Sequence, residues 1–322
     1  MKKFYKGKKI LIAGISGFVG KNLALKLEKY DAKIIGTYYS KKPKFVSKKI
    51  KLLKLDLTNK KNCLKACKNI DYVFMCAANS SGAQIIEKKP LTHLTPNLIM
   101  NSLILEAAYE LGIKKLCFIS SSTVYPLRSK TIREKDVNYK FFEKYFIVGW
   151  MKLFSEKICQ MYSEKIKKPM QTLIVRPSNL YGPHDKFDWK TAKVVPSLIR
   201  KVVEKKFPVV IWGNGKDLKD FIYIDDFIDA LLKLFVLKKR INPINISSGK
   251  SYTIRQMFSI LEKISDQKKI EIRYDKSKPT MIPKRKISNQ YLRQISSWKP
   301  KIDLETGIRN TYNWYKKNKR LN

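Results

Sequence analysis

Residues 9 to 23 read KILIAGISGFVGKNL, an apolar strand-like run, then Gly14, Gly17 and Gly20, then apolar residues at helical spacing. Few short strings narrow the choice of fold so far. Glycines at these positions let the chain leave a buried strand, turn tightly and start a helix at once. Backbone N–H groups at the helix start are then free to meet an anion such as a pyrophosphate. Ser16, Phe18 and Val19 fill the rest of the loop. The spacing alone is weak; its place after a strand and before a helix gives it weight.

The pattern continues beyond the loop. Apolar runs at 8–14, 32–39, 50–56, 71–77, 114–120 and 171–177 read as strands, and stretches such as IMNSLILEAAYELG and FSEKICQMYSEKI have helical spacing. Alternation of this kind predicts an α/β chain, a Rossmann-type doubly wound parallel sheet with crossover helices. After Pro177 the pieces shorten, with a loop SNLYGPHDKFD, a strand PVVIWG, a helix DDFIDALLKLF, a capping-box start at Thr253 and Gln256, and a last helix from Asp303. The expected division is a dinucleotide-binding domain over 1–178 and a smaller, mainly substrate-binding lobe over 179–322, with elements from 209–250 returning to the sheet.

Composition removes several alternatives. The formal net charge of +42 comes from 68 Lys and Arg against 26 Asp and Glu. Such a charge attracts nucleic acid or acidic membranes. The lysines are scattered, however, and no helix-turn-helix, RRM or zinc-finger pattern accompanies them, so no specific nucleic-acid partner is expected. No apolar run approaches a membrane span and no signal peptide precedes Lys8, which points to a cytoplasmic protein without a membrane partner. Five cysteines with no CxxC pair, and only His93 and His184 beside them, argue against a metal site or a disulfide framework. Both histidines read as loop or supporting residues.

The end of the second strand bears on which dinucleotide is used. NAD enzymes usually carry an acid there for the ribose hydroxyls, whereas a 2′-phosphate calls for a cation. The sequence is GTYYSKKPK, without an acid, and Lys41 and Lys42 follow Ser40. This favours NADP over NAD; the competing reading is two more of many surface lysines. Asp56, after the third strand, is a candidate for the adenine edge.

Further strings carry a family likeness: CAA (76–78), SSSTVYP (120–126), VGWMK (148–152), RPSNLYGP (176–183) and DFIYIDD (220–226). Together they resemble the extended short-chain dehydrogenase/reductases of the NAD-dependent epimerase/dehydratase family, which modify nucleotide-activated sugars. The likeness is greatest to the NADP-dependent branch that epimerises and reduces GDP-4-keto-6-deoxymannose, and it runs nearly end to end through NLYGPHDKF, WGNGKDLKDF, DKSKP and GIRNTYNWY. The resemblance implies that Gly14, Gly17 and Gly20 form the cofactor loop, that Ala77 and Ala78 lie over the cofactor, and that Lys152 holds the nicotinamide ribose. Ser121 matches the serine on the reacting sugar oxygen. Asn179, Trp212, Lys219 and Lys278 fall where the family contacts the nucleotide or its phosphates, with Lys219 in place of an arginine, which loses the bidentate fork. A nucleoside-diphosphate sugar is the implied partner, and a homodimer through helices at 94–112 and 145–168 the implied assembly.

The departures from that pattern fall on the chemistry. With Lys152 as the lysine of the YxxxK motif, Val148 stands at the position of the tyrosine general acid. The family's epimerising cysteine aligns with Thr123, and its partner histidine with Lys193. Tyr145 is the nearest replacement phenol, but on a continuous helix it would lie about 10 Å along the axis from Lys152, against about 6 Å for a spacing of four. Two readings stay open: an enzyme whose acid/base set has been rearranged, and a catalytically weak protein that binds dinucleotide and nucleotide-sugar as a regulatory or partner subunit.

Overall fold

Ile10, Leu11, Ile12 and Ala13 are all inaccessible to solvent in the first strand, β1 (Lys9–Ala13), as a strand covered on both faces requires. The computed structural model describes residues 1–44, 46–80, 89, 91–238, 243–267, 270–278 and 281–319. β1 leads into α1 (Phe18–Glu28), followed by β2 (Lys33–Tyr38), β3 (Lys51–Lys54), α2 (Lys60–Cys67), β4 (Tyr72–Met75), α3 (Leu91–Glu110), β5 (Lys115–Ile119), α4 (Phe146–Glu164) and β6 (Gln171–Pro177). The second half holds β7 (Asn179–Tyr181), α5 (Val194–Val203), β8 (Val209–Trp212), β9 (Leu218–Tyr223), α6 (Ile224–Phe235), β10 (Ile244–Ile246), β11 (Ser251–Thr253), α7 (Ile254–Ile264), β12 (Ile272–Asp275), α8 (Gln290–Ser296) and α9 (Leu304–Asn318).

Seven strands form one sheet in the order β10-β6-β5-β4-β1-β2-β3, and every neighbouring pair is parallel. Alternate residues of β1 serve opposite faces. Ile10 and Ile12 pack with α1 and α6, while Leu11 and Ala13 pack with α2 and α3. The expected doubly wound α/β fold is therefore the one observed. From β1 the chain moves outward to β2 and β3 and then returns to build β4, β5, β6 and β10 on the other side, which makes the carboxyl ends of β1 and β4 the switch point where such sheets bind ligands.

The later elements form a second core around Tyr181, Phe187, Ile199, Phe258 and Tyr315. It includes a three-stranded sheet β11-β9-β7 and a two-stranded sheet β12-β8. The capping box expected at Thr253 is present: its hydroxyl accepts from the Gln256 N–H at 3.0 Å, and the Gln256 carboxamide accepts from the Thr253 N–H at 2.8 Å. No helix among the described residues is long and apolar enough to cross a membrane.

One local expectation changes. The sequence predicts a long helix from Tyr145, but α4 begins at Phe146, and Tyr145 ends a short 3-10 turn over Glu143–Tyr145. Its N–H bonds the Phe142 carbonyl at 2.8 Å. Its backbone, at φ −115° and ψ 9°, is outside the helical range.

Inside the sheet edge a buried ion pair fastens α4 to β6. Arg176 Nη2 lies 2.5 Å from Glu156 Oε2, Arg176 Nε donates to Glu156 Oε1 at 2.9 Å, and the Ser120 hydroxyl donates to the same carboxylate. Arg176 Nη1 also donates to Tyr125 Oη at 2.9 Å, and that phenol donates to Asn245 Oδ1 at 2.6 Å, so α4, β6, β10 and the segment after β5 meet in one network. Removing one member leaves an uncompensated buried charge. Glu156→Ala should lower stability by roughly 3–5 kcal/mol in urea denaturation, and Glu156→Leu with Arg176→Met by much less. Equal losses in both variants would mean that packing, not the stranded arginine, sets the cost.

Candidate active site

The loop after β1 is held by β2 and shaped by its glycines. The Gly14 N–H donates to Thr37 Oγ1 at 3.1 Å and the Ile15 N–H to the Thr37 carbonyl at 2.9 Å. Gly14 has φ +83°, and a Cβ there would come within 2.5 Å of Ala77 Cα. A Cβ on Gly20 would come within 2.4 Å of the Gly14 carbonyl oxygen, so that glycine lets α1 pack close to the strand end. Gly17 is different. Its added Cβ would meet only the Gly14 oxygen, at 3.3 Å, so it faces open space. Gly17 is also the N-cap of α1, with no side-chain cap and no acid in the first turn. The first-turn N–H groups are thus left for an external acceptor, and these residues fit a dinucleotide diphosphate. Ser16, Phe18 and Val19 are half-buried beside it.

Lys41 and Lys42 are exposed just beyond β2. Asp56, beyond β3 on the same edge, uses Oδ1 to accept from the Thr58 N–H at 2.9 Å and from the Thr58 hydroxyl at 2.7 Å. Ala77 and Ala78 follow β4 over Gly14. Their position is fixed by Asn97 of α3, which accepts from the Asn79 N–H at 2.8 Å and donates to the Asn79 carbonyl at 3.0 Å. Asn97 was missed in the sequence, where only its polarity in an otherwise apolar helix hints at a role. His93, one turn earlier, is buried, and burial lowers its pKa.

Lys152 projects from α4 to the end of β5, where Nζ donates to the Ile119 carbonyl at 2.9 Å and lies 4.9 Å from the Phe118 ring centre. Burial lowers its pKa to about 8, against the pull of Glu156 one turn on. Ser121 is two residues beyond Ile119 and half-buried; its Oγ accepts from the Thr123 N–H at 3.1 Å. The Thr123 hydroxyl is buried with no partner among the described residues. A Cβ on Gly149 would lie 2.9 Å from the Thr123 carbonyl oxygen, so α4 presses directly on this segment. Val148 is one turn before Lys152 in the regular helix, half-buried, with nothing to donate.

Tyr145 lies in different surroundings. Burial pushes its phenol up to about 12, and the charge acting on it is Arg285. Arg285 is 2% exposed and donates to the Pro126 carbonyl at 3.0 Å. Ionisation of Lys152, by contrast, is set by burial together with Glu156, Cys159 and Cys76. Lys193 is exposed at the N-cap of α5. It acts on Asp185, a buried acid pushed up to about 6 by burial.

The expected substrate residues form two pairs. Asn179 of β7 donates to the Asp220 carbonyl at 2.9 Å, beside Lys219 of β9. Lys219 is committed to Asp217 at 3.2 Å and to the Ile282 carbonyl. Trp212, 39% exposed, is paired with Asp275 across β8 and β12, and Lys278 follows three residues later. A cavity of about 620 Å³ opens elsewhere, against Glu156 and Gln160 of α4 and Tyr291 of α8, and none of the cradle residues line it. No group of three His, Cys, Asp or Glu among the described residues is placed to hold a metal.

Residues 10–247 match the family model described as NAD dependent epimerase/dehydratase family. The chain belongs to this family. Among curated relatives it is 31% identical to a GDP-L-fucose synthase of Sinorhizobium fredii, over 95% of each chain. It is 30% identical to a GDP-L-colitose synthase of Yersinia pseudotuberculosis, over 95% of this chain and 97% of the other. An epimerase of Methanothermobacter thermautotrophicus superposes with a TM-score of 0.90 at 23% identity, over 99% of this chain and 95% of that one, a likeness of fold. The likeness carried by the motifs is thus borne out over nearly the whole chain, and the protein is an enzyme of the NAD dependent epimerase/dehydratase family.

The low pKa of Lys152 gives a stability test. Its folded value of about 8 lies below the ordinary 10.5, so the unfolded chain binds the proton more tightly. The penalty is full below about pH 8 and fades as pH rises toward 10.5. Lys152→Met should therefore melt at a higher temperature than wild type at pH 7, with the difference shrinking by pH 10. A variant that melts lower at both pH values would show that contacts of the lysine outweigh the cost of burying its charge.

Proposed function

We propose that this chain is an NADP-dependent enzyme acting on a nucleoside-diphosphate sugar in the manner of GDP-L-fucose synthase, with altered acid/base residues. The observation that carries this reading is the meeting, at the carboxyl ends of β1, β4 and β5, of the glycine cradle, Ala77 and Lys152 beside Ser121. Asn179, Trp212, Lys219 and Lys278 would hold the nucleotide part, with GDP the favoured nucleotide because the relatives named for it match nearly the whole chain.

The bound cofactor would supply the hydride in a C4-ketone reduction. The protein must then orient the sugar and deliver a proton to the developing alkoxide. Lys152, which donates to the Ile119 carbonyl at the end of β5, would hold the nicotinamide ribose, and Ser121 has a hydroxyl hydrogen left to donate, since its Oγ accepts from Thr123. The proton source is the weak point. Val148 cannot donate, and Thr123 and Lys193 stand where a cysteine and a histidine would be. Tyr145 keeps its proton tightly beside Arg285. This supports slow or different chemistry rather than the full epimerisation and reduction. Val148 also favours a second reading, a binding protein with little turnover.

Both readings can be tested by following product formation from a GDP-4-keto-6-deoxy sugar with NADPH. A positioned general acid contributes roughly 10²- to 10⁴-fold in rate. Val148→Tyr should raise C4 reduction toward that range, and Tyr145→Phe should change little. Fast wild-type turnover abolished by Tyr145→Phe would make Tyr145 the acid. No product from either wild type or Val148→Tyr, with the nucleotide still bound, would favour the binding protein.

Cofactor choice is tested separately. NADPH should bind more tightly than NADH in a fluorescence titration, because the second strand ends without an acid and Lys41 and Lys42 follow it. The preference should fall in a Lys41→Ala, Lys42→Ala double variant. Equal affinities in wild type would remove the case for a 2′-phosphate site.

A further inference from the structure

The loop Gly182–Phe187 comes from the second half of the chain but ends its reach on the cofactor side. The Asn22 side-chain amide of α1 donates to the Pro183 carbonyl at 3.1 Å, and Lys186 Nζ donates to the Ser80 carbonyl at 3.0 Å. One anchor is thus on the helix that opens from the glycine cradle, and the other is on the segment that follows Ala77 and Ala78. The loop crosses between them.

Its base is firmly held. Asp185 and Phe187 are buried, the Phe187 ring stacks on Tyr315 at 4.2 Å between centres, and Arg200 donates to the Phe187 carbonyl at 2.7 Å. With both neighbours turned inward, Lys186 is the residue turned out, toward the cofactor domain. Gly182 has φ +148°, and a Cβ there would come within 2.5 Å of Ile224, so the turn that aims the loop admits little else.

The charges around Lys186 are mixed. Burial lowers its pKa and Lys193 and Lys41 repel its charge, while Asp188 and Asp185 oppose them. Ser80 gives Lys186 only a neutral carbonyl acceptor. The cradle itself supplies backbone N–H groups and about half a unit of positive charge at a helix start, whereas a diphosphate brings two negative charges. Ile15, Ser16, Phe18 and Val19 of the cradle carry no charge, and Lys21, at the next position of α1 after Gly20, has its pKa lowered by burial and by Lys44.

Building on the cofactor reading above, we propose that Lys186 is the lobe-crossing cation that contacts the diphosphate of the dinucleotide seated on the glycine cradle. On binding, its ammonium exchanges the Ser80 carbonyl for an ionised oxygen, a stronger hydrogen bond, and ties the two halves of the cleft together. A nucleoside-diphosphate sugar carries the same chemical group. The cradle-side anchors at Asn22 and Ser80 favour the dinucleotide as the source.

The test uses the full chain, with wild type, Lys186→Gln and Lys186→Arg titrated with NADPH, NADH, ADP-ribose and GDP by fluorescence and calorimetry. Lys186→Gln should weaken NADPH, NADH and ADP-ribose by a common factor of roughly ten to a hundred, the range for a hydrogen bond to a charged group. GDP affinity and the melting temperature should be unchanged, and Lys186→Arg should restore most of the binding. Loss confined to GDP would assign Lys186 to the nucleotide-sugar and overturn the proposal. Loss confined to NADPH would make it a 2′-phosphate ligand, and unchanged binding of every ligand would leave it no role; either result overturns the proposal. Wild type that binds none of the three dinucleotide-type ligands would sink the cofactor reading itself, and the proposal with it.

Discussion

The Glu156 carboxylate, 1% exposed, is held by Arg176 at 2.5 Å and by the Ser120 hydroxyl, deep between α4 and the sheet. Burying such a pair costs desolvation that its attraction only partly offsets, so its value is better sought in placement than in stability. Glu156 is one helical turn from Lys152 and two from Val148. Fixing it against β6 therefore fixes which way those side chains face. Gly149 sets the other coordinate, because only a residue without a Cβ lets α4 approach the Thr123 carbonyl so closely. The end of β5, Ser121 and Lys152 are held together by these two constraints.

The parts legible in the sequence are those whose cause is local. Two of the three glycines between the strand and the helix are required by close approaches, Gly14 to Ala77 and Gly20 to Gly14, while Gly17 leaves open space at the helix start. The two-sided burial of β1 is written in an unbroken apolar run. Thr253 and Gln256 cap a helix through a spacing of three. What was not legible depends on contacts between distant segments: Asn97 bonding Asn79, Arg285 lying against the segment of Tyr125 and Tyr145, Lys186 reaching Ser80. In a chain with 68 basic residues nothing local distinguishes Lys186 from the others. The start of α4 was misread for a related reason. Tyr145 continues the apolar spacing of the helix, but its backbone closes a 3-10 turn with Phe142 instead.

The proton problem is sharpened by the lysine. An ammonium with a pKa of about 8 titrates close to neutrality, and its nearest carboxylate, Glu156, is already committed to Arg176. In a tyrosine–lysine pair the cation favours the phenolate and so eases proton release. Here Lys152 has a valine one turn away, while the charge acting on the Tyr145 phenol is Arg285, and burial outweighs it and raises the phenol's pKa to about 12. Cation and phenol are both present but in separate environments, so the charge of one does little for the acidity of the other.

The two proposed ligand sites also differ in readiness. At the cradle, the first-turn N–H groups of α1 have no side-chain cap, and Gly17 faces open space, so an anion meets donors that need no rearrangement. At the proposed nucleotide-sugar residues, Lys219 is held by Asp217 and the Ile282 carbonyl, and Asn179 is bonded to the Asp220 carbonyl. A nucleotide that recruits Lys219 must break those contacts first, and binding energy spent on reorganisation does not appear as affinity. On the proposed reading, cofactor binding would draw on a preorganised surface and nucleotide-sugar binding on a committed one.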